Sequence, residues 1–425
     1  MAESPVNRSE EFAPTLTTMH VMPFTHSVHD KTRESGVAMQ YHDLRGLRAG
    51  VRVGASAFGS GAGAQEVHLL LTLERPGSLA VQLRQLEEAY AAALHELALP
   101  ADSALFRRLF ASDLANQGAA LRASPLSHGA AVSWVEQPPL PEAKLALYAY
   151  HVSDPRQPAR TTLNDAGVLL WEHHGRTHLT ATGLCQPGEG TSYDQMRAAL
   201  GQFGALLTQQ GMTLAEHALR TWIYVQALDL DYAGIVRARR EFFAERGLTQ
   251  DTHYLASTGI AGGAGDPAIR VLLDVLAVKG LQPEQIRHLH ALQHLSPTHL
   301  YGVTFERGTA VTYGDRKHVL LSGTASIDAQ GQIVHPGDVL RQMERTLENM
   351  AALLADAGAT LADLTHMLIY LRDGADRRAI ERAFRRRFPL LPYVILRAPV
   401  CRPGWLIELE GSAIVAANCP NLAPY

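Results

Sequence analysis

Residues 193–214, YDQMRAALGQFGALLTQQGMTL, lie on residues 340–361, LRQMERTLENMAALLADAGATL, without a gap and 147 positions apart. In that frame Gln195-Met196 meets Gln342-Met343, and Leu206-Leu207 meets Leu353-Leu354. Gly211 meets Gly358, and Thr213-Leu214 meets Thr360-Leu361. Apolar residues at Val339, Met343, Leu347, Met350 and Leu354 have the spacing of an amphipathic helix. Gly358 stands where a left-handed residue would end it. A helix, its terminating glycine and the turn beyond, kept in register over a domain-sized interval, mark an internal repeat.

Outward from these helices the same element order can be read three times. The last copy predicts a strand at 318–325, the helix, a strand at 365–372, a helix at 377–387, and strands at 393–398 and 405–415. The middle copy predicts strands at 177–183, 219–226, 252–258 and 268–278, with helices at 193–210 and 232–246. A diverged first copy predicts a strand at 66–73, a helix at 79–97, a strand at 105–111, a short helical stretch, and strands at 130–135 and 144–151. Strand, helix, strand, helix, strand, strand is an α+β module with its helices on one sheet face. The expected organisation is an N-terminal arm (1–45) and three tandem modules (46–160, 161–300, 301–425). The stretch 279–317 is longer than a plain connector needs to be.

Composition narrows the function. A chain of 425 residues exceeds one ordinary core, and 46% hydrophobic with 19% charged residues is the profile of a soluble globular protein. A formal charge of -4 offers no basic footprint for nucleic acid or an anionic membrane. Cys185, Cys401 and Cys419 are too few and too scattered for a disulfide framework or a CxxC zinc site. Without an apolar run of roughly 18–20 residues or a signal-like start, a cytoplasmic protein is expected. The histidines (His173, His174, His178; His288, His290, His294, His299) match no tetrahedral zinc spacing, so no metal is expected. The glycine-rich 59–63 and 259–265 lack a phosphate-loop pattern and read as hairpins.

The last module closes on Cys401-Arg-Pro-Gly-Trp-Leu-Ile-Glu408-Leu-Glu410. Glu408 and Glu410 share one face of an alternating strand. That face is either a solvated sheet edge or the seat of a desolvated general acid. Cys401 is either a small buried hydrophobe or part of the same site across the Pro-Gly turn.

The module order, with its long helix and closing strand, resembles the YjgF/Rid (chorismate mutase-like) superfold. Those proteins are typically trimers with clefts at subunit interfaces, so three joined copies imply a pseudo-trimer. Rid deaminases carry an arginine just after the proline before the penultimate strand, where it grips the substrate carboxylate. Here that stretch reads Pro392-Tyr393-Val394-Ile395.

Other motifs resemble the chorismatase family, which transforms chorismate with loss of pyruvate. They are Arg220-Thr221-Trp222, Ser322-Gly323-Thr324-Ala325-Ser326, Gly337-Asp338-Val339 with Gln342, and Cys401-Arg402 with Glu408. Tyr301-Gly302 before Phe305-Glu306-Arg307, and Tyr232 seven residues before Arg239, fit the same pattern, although Ser296 stands where a tyrosine is usual.

The resemblance implies an enzyme without a cofactor, in which Glu408 protonates the enolpyruvyl methylene. A cysteine at 401 resembles the branch that makes 3-hydroxybenzoate. Chorismate is a dicarboxylate, so two or more guanidinium forks are needed, with Arg307, Arg372, Arg239 and Arg220 as candidates and Tyr301 and Thr324 as further binding residues. The site is expected between modules two and three, in a monomer (pseudo-trimer) or loose homo-oligomer. A Rid-type imine deaminase and a non-catalytic metabolite-binding protein are the alternatives.

Overall fold

The computed structural model describes residues 38–59, 64–141, 143–154, 160–164 and 167–425, apart from the side chains of 160–164 and Tyr301. Most of the expected arm, and residues 60–63 of the first glycine-rich stretch, lie outside the described residues.

Three mixed sheets carry the fold, and each lays out its strands in the same order. The first runs Gln40–Asp43, Val51–Phe58, Gln65–Leu73, Leu145–Ser153, Ala104–Ala111, Ala131–Glu136. The second runs Arg160–Asn164, Val168–His173, Arg176–Leu184, Val271–Lys279, Ala218–Val225, Ala256–Ala261. The third runs Ile286–Leu289, Gly308–Thr312, Arg316–Leu321, Ile407–Ala416, Leu364–Leu371, Tyr393–Arg397, and takes Pro139–Leu140 onto its far edge. In each sheet the pair reached through the second helix is parallel, while the neighbours before it are antiparallel. The fold is therefore α+β, as the element order predicts.

The first helix of each repeat, Leu79–Glu96, Ser192–Gln209 and Val339–Asp356, has 18 residues. Their starts are capped by the side chains of Ser78, Thr191 and Asp338, which accept backbone N–H groups of the first turn. Their ends close on the same bond: Leu99 N–H to Leu94, Met212 N–H to Leu207 and Ala359 N–H to Leu354. Gly211 (φ +61°) and Gly358 (φ +74°) take the left-handed position, and Ala98 (φ +49°) takes it in the first helix. The third helix buries Met343, Leu347, Met350 and Leu354, each worth about 1.5–3 kcal/mol of apolar burial.

Two strands at the leading edge of each sheet have no counterpart in the sequence reading. The stretch 279–317 supplies one such pair, Ile286–Leu289 and Gly308–Thr312. Ile286–Leu289 (IRHL) has only four residues, with its two apolar ones at the ends, so it carries too little alternation to announce a strand. The expected strand 318–325 is interrupted at Ser322-Gly323 before a two-residue strand, Thr324–Ala325.

The glycines at 259–265 are not a hairpin. Gly259 lies within the strand Ala256–Ala261, and Gly262 and Gly265 permit close approach of the second sheet's edge to the first repeat. A Cβ on Gly262 would lie 2.8 Å from Val135 Cγ1, and one on Gly265 would lie 2.6 Å from the Leu114 carbonyl carbon.

Backbone contacts link the sheets pairwise. Glu136 and Gly263 exchange hydrogen bonds at 2.8 and 3.2 Å, Ala261 N–H donates to Pro399 at 3.1 Å, and Pro139–Leu140 pairs with Ile395 and Leu396. Among the described residues no helix is long and apolar enough to cross a membrane.

Candidate active site

Ile407–Ala416 is the central strand of the third sheet, paired with Leu364–Leu371 on one side and Arg316–Leu321 on the other. Its alternation turns Glu408 and Glu410 to one face, and both are buried, at 4% exposure. The solvated-edge reading is thereby excluded. The break at Ser322-Gly323 makes room for the first carboxyl, since a Cβ on Gly323 would overlap Glu408 Oε1. Gly323 is held by its N–H donating to Thr258 Oγ1 at 2.9 Å, and Ser322 Oγ donates to the Glu306 carbonyl.

Glu408 opens into a cavity lined by Tyr232, Arg239, Ser257, Phe305, Arg307, Gly323, Cys401, Arg402 and Trp405, with aliphatic side chains between them. The second repeat contributes its helix Leu228–Ala244 and strand Ala256–Ala261. The third contributes the strand bearing Glu408, the 401–405 turn and the segment before Gly308. The cavity thus lies between the second and third sheets.

Burial, and then the neighbouring Glu410, push the Glu408 carboxyl up to about 8 against the opposing pull of Arg220 and Arg307. It is mostly protonated at neutral pH. Burial, then the Glu408 charge, push the Cys401 thiol up to about 12, although a hydrogen bond with Tyr232 opposes this. Cys401 is therefore a neutral thiol rather than a ready nucleophile.

Three guanidinium groups line the same cavity as this acid. Arg239 donates through Nε to Thr304 Oγ1 at 3.1 Å and through Nη1 to Ser257 Oγ at 3.3 Å. Arg307 Nη2 donates to the Ser296 carbonyl at 2.9 Å, and its guanidinium lies 5.3 Å from the centroid of Phe305. Arg402 Nη1 donates to the Gly331 carbonyl at 3.2 Å, with Trp405 beneath its guanidinium. These contacts fix the forks in direction.

The other sequence candidates lie elsewhere. Arg220 is buried behind the cavity wall, donating to Thr258 Oγ1 at 2.6 Å and pairing with Glu410 at 3.4 Å. Arg372 is spanned by Asp229 (3.0 and 3.2 Å) and donates to the Val400 carbonyl, so it joins two repeats rather than lining the cavity. Thr324 is buried and donates to the Ser322 carbonyl at 3.0 Å; Gly323 and Ala325 on either side are the lining residues. Tyr301 ends the turn Thr298–Tyr301, and its side chain lies outside the described residues. Tyr232, Phe305, Gly323, Arg402 and Trp405 stood inside quoted motifs without being singled out. Ser257 had no signal in the sequence, because only the parallel pairing of its strand with Ala218–Val225 brings it there.

A second enclosed space lies where the three sheets meet, lined by Glu66, His68, Arg108, Tyr148, Trp171, His178, Arg220, Trp222, Asp274, His366, Glu410 and Tyr425 among others. Its buried acids are paired: Asp274 with Arg108 at 3.0 Å, Glu66 with Arg316 at 2.6 Å, and Glu410 with Arg220. Burial pushes His178 and His366 down to about 3, so both are neutral.

Comparison with known proteins bears on the fold and the family. A family model described as Endoribonuclease L-PSP matches residues 309–415. A chorismatase of Streptomyces hygroscopicus is 28% identical over 257 residues, covering 56% of this chain and 72% of that protein. The 3-aminoacrylate deaminase RutC of Acinetobacter baylyi is 38% identical over 99 residues, covering 23% of this chain and 79% of that protein. A chorismatase crystal structure superposes with a TM-score of 0.57 at 20% identity, over 73% of this chain and 93% of that one. The chain is a chorismatase-like protein of the Rid fold.

Proposed function

We propose that this protein is a cytoplasmic enzyme that consumes chorismate and releases pyruvate to give a hydroxybenzoate-type acid, 3-hydroxybenzoate being favoured. The observation that carries the reading is a buried, protonated carboxyl, Glu408, in one cavity with Arg239, Arg307 and Arg402. Three guanidinium forks fixed around a neutral acid suit a dicarboxylate. The chorismatase relatives supply the substrate class.

Glu408 delivers its proton to the vinyl CH2 of the enolpyruvyl ether. Electron density leaves the C=C bond to form the new C–H bond, and an oxocarbenium ion develops at the ether carbon. Water captures that ion as a hemiketal while the Glu408 carboxylate takes up a proton from it. Collapse of the hemiketal breaks the bond between the ether carbon and the bridging oxygen, which releases pyruvate and leaves that oxygen, protonated, as a ring hydroxyl. Loss of the neighbouring ring hydroxyl together with a ring hydrogen, as water, then aromatises the ring to the hydroxybenzoate. A buried acid suits this step, because desolvation of its charged form keeps the proton on at neutral pH. Cys401, a neutral thiol held by Tyr232, is placed to donate a proton or hydrogen bond during rearrangement of the ring.

The reading extends to the whole chain: the three repeats act as the three subunits of a pseudo-trimer, in modules 46–160, 161–300 and 301–425, with this cleft as the working one. The identical strand order of the sheets and the pairwise contacts between them support that arrangement.

The test is incubation with chorismate, with pyruvate read by a coupled dehydrogenase and the aromatic product by chromatography. Stoichiometric pyruvate is expected. No pyruvate, together with ammonia release from an imino acid, would replace this reading with the Rid-type deaminase.

A further inference from the structure

We propose that Asp154, His173 and His174 form a binding site for a divalent transition-metal ion such as Zn2+, which clips the end of the first sheet to a hairpin of the second. Asp154 follows the last residue of the strand Leu145–Ser153, and His173 ends the strand Val168–His173. His174 and Gly175 make the two-residue turn into Arg176–Leu184, with φ of +46° and +75°. Side chains of adjacent strand residues normally point to opposite faces. The left-handed turn removes that constraint at His174, and both imidazoles approach the same carboxylate.

The distances suit a small ion. His173 Nε2 lies 2.8 Å and His174 Nε2 lies 3.8 Å from Asp154 Oδ2, and all three donor atoms are within 4.8 Å of one another. Metal–ligand bonds of about 2.0–2.1 Å in tetrahedral geometry set the donors about 3.3–3.4 Å apart, between the two observed separations. Two imidazole nitrogens and one carboxylate oxygen favour zinc, cobalt or nickel over magnesium or calcium. His173 and Asp154 are buried, so the ion would be held in a partly dry pocket, while His174, a quarter exposed, leaves an entry path. The site is distinct from the Glu408 cavity, shares no residue with it, and assigns the ion a structural role. The absence of a zinc spacing in the sequence misses it, because Asp154 lies on a different sheet, 19 residues before His173.

The full chain, stripped with chelator and freed of it, is titrated with Co2+. One tight equivalent is expected, with the visible absorption of low-coordinate cobalt, quenched fluorescence from Trp171, whose ring stacks on His173 at 4.6 Å, and a raised Tm. Losing even an outer partner of a metal site costs about 10–100-fold in affinity, so His174→Asn and Asp154→Asn should each weaken binding at least tenfold. Asparagine tolerates the left-handed turn, and circular dichroism confirms that each variant is folded. Absence of a tight equivalent overturns the proposal. So does unchanged affinity in either folded variant, which would move the ion to another of the histidines.

Discussion

Glu408 is the residue on which the proposed chemistry rests, and its burial makes two measurable demands. General acid catalysis is worth about 10²–10⁴-fold, so Glu408→Gln should lower kcat by at least about 100-fold while chorismate still binds. Its carboxyl sits at about 8 in the fold, above the ordinary glutamate value of 4.5. The unfolded chain therefore gives up this proton at lower pH than the folded one, and stability falls as pH rises from about 4.5 to 8. Glu408→Gln, which has no proton to lose, should show a Tm advantage over the wild type that widens between pH 5 and 8 in parallel thermal melts. A constant offset would mean that Glu408 does not titrate in this window.

Glu410 acts on the same group from behind. It accepts hydrogen bonds from Tyr370 and Trp222 and pairs with Arg220, and its charge helps keep Glu408 protonated. Glu410→Gln removes that support and leaves Arg220 less compensated, and both effects favour the ionised form of Glu408. The upper limb of the kcat/KM profile should move to lower pH. A limb that stays in place assigns Glu410 to packing alone.

At the scale of elements, the three long helices offer an internal comparison. They end on the same bond, but Gly211 and Gly358 hold the left-handed position in two, and Ala98 holds it in the first. A Cβ in that conformation costs about 1–2 kcal/mol, partly offset by glycine's greater unfolded entropy. Ala98→Gly should therefore stabilise the protein by about 1 kcal/mol, and Gly358→Ala should destabilise it by a similar amount, as read by urea denaturation. The helices were legible because their period, caps and stop residues are local. Of the edge strands, Gln40–Asp43 and Ile286–Leu289 are four residues long and become strands only when a neighbour supplies the ladder, whereas Val51–Phe58 and Val168–His173 carry apolar residues that could have announced them.

At the scale of the whole molecule, strand register shows why three repeats need not mean three sites. Glu408 occupies the next-to-last pairing of its strand, opposite Tyr370. The same pairing in the second sheet holds Leu272 opposite Tyr224, and in the first sheet Ala146 opposite Phe110. Neither replacement can donate a proton. Calorimetric titration of Glu408→Gln with chorismate should accordingly give one binding event per chain. Two or three equivalent events would show that the other clefts retain binding.

The α+β fold class, the long helices and the acid on the last strand were determined by the sequence alone, because helical periodicity, capping and strand alternation are written in neighbouring residues. The motif resemblance also reached Cys401, Arg239 and Arg307, which line the Glu408 cavity. Which arginines would face that cavity was decided only by tertiary structure. Arg220 and Arg372 sit in motifs as persuasive as those of Arg239 and Arg307, but Glu410 draws one behind the wall and Asp229 draws the other away. A guanidinium goes to whichever carboxylate or carbonyl the packed chain brings within reach. Those partners lie 190 and 143 residues away in sequence. The Asp154–His173–His174 cluster was hidden for the same reason, since its three donors meet only where two sheets meet.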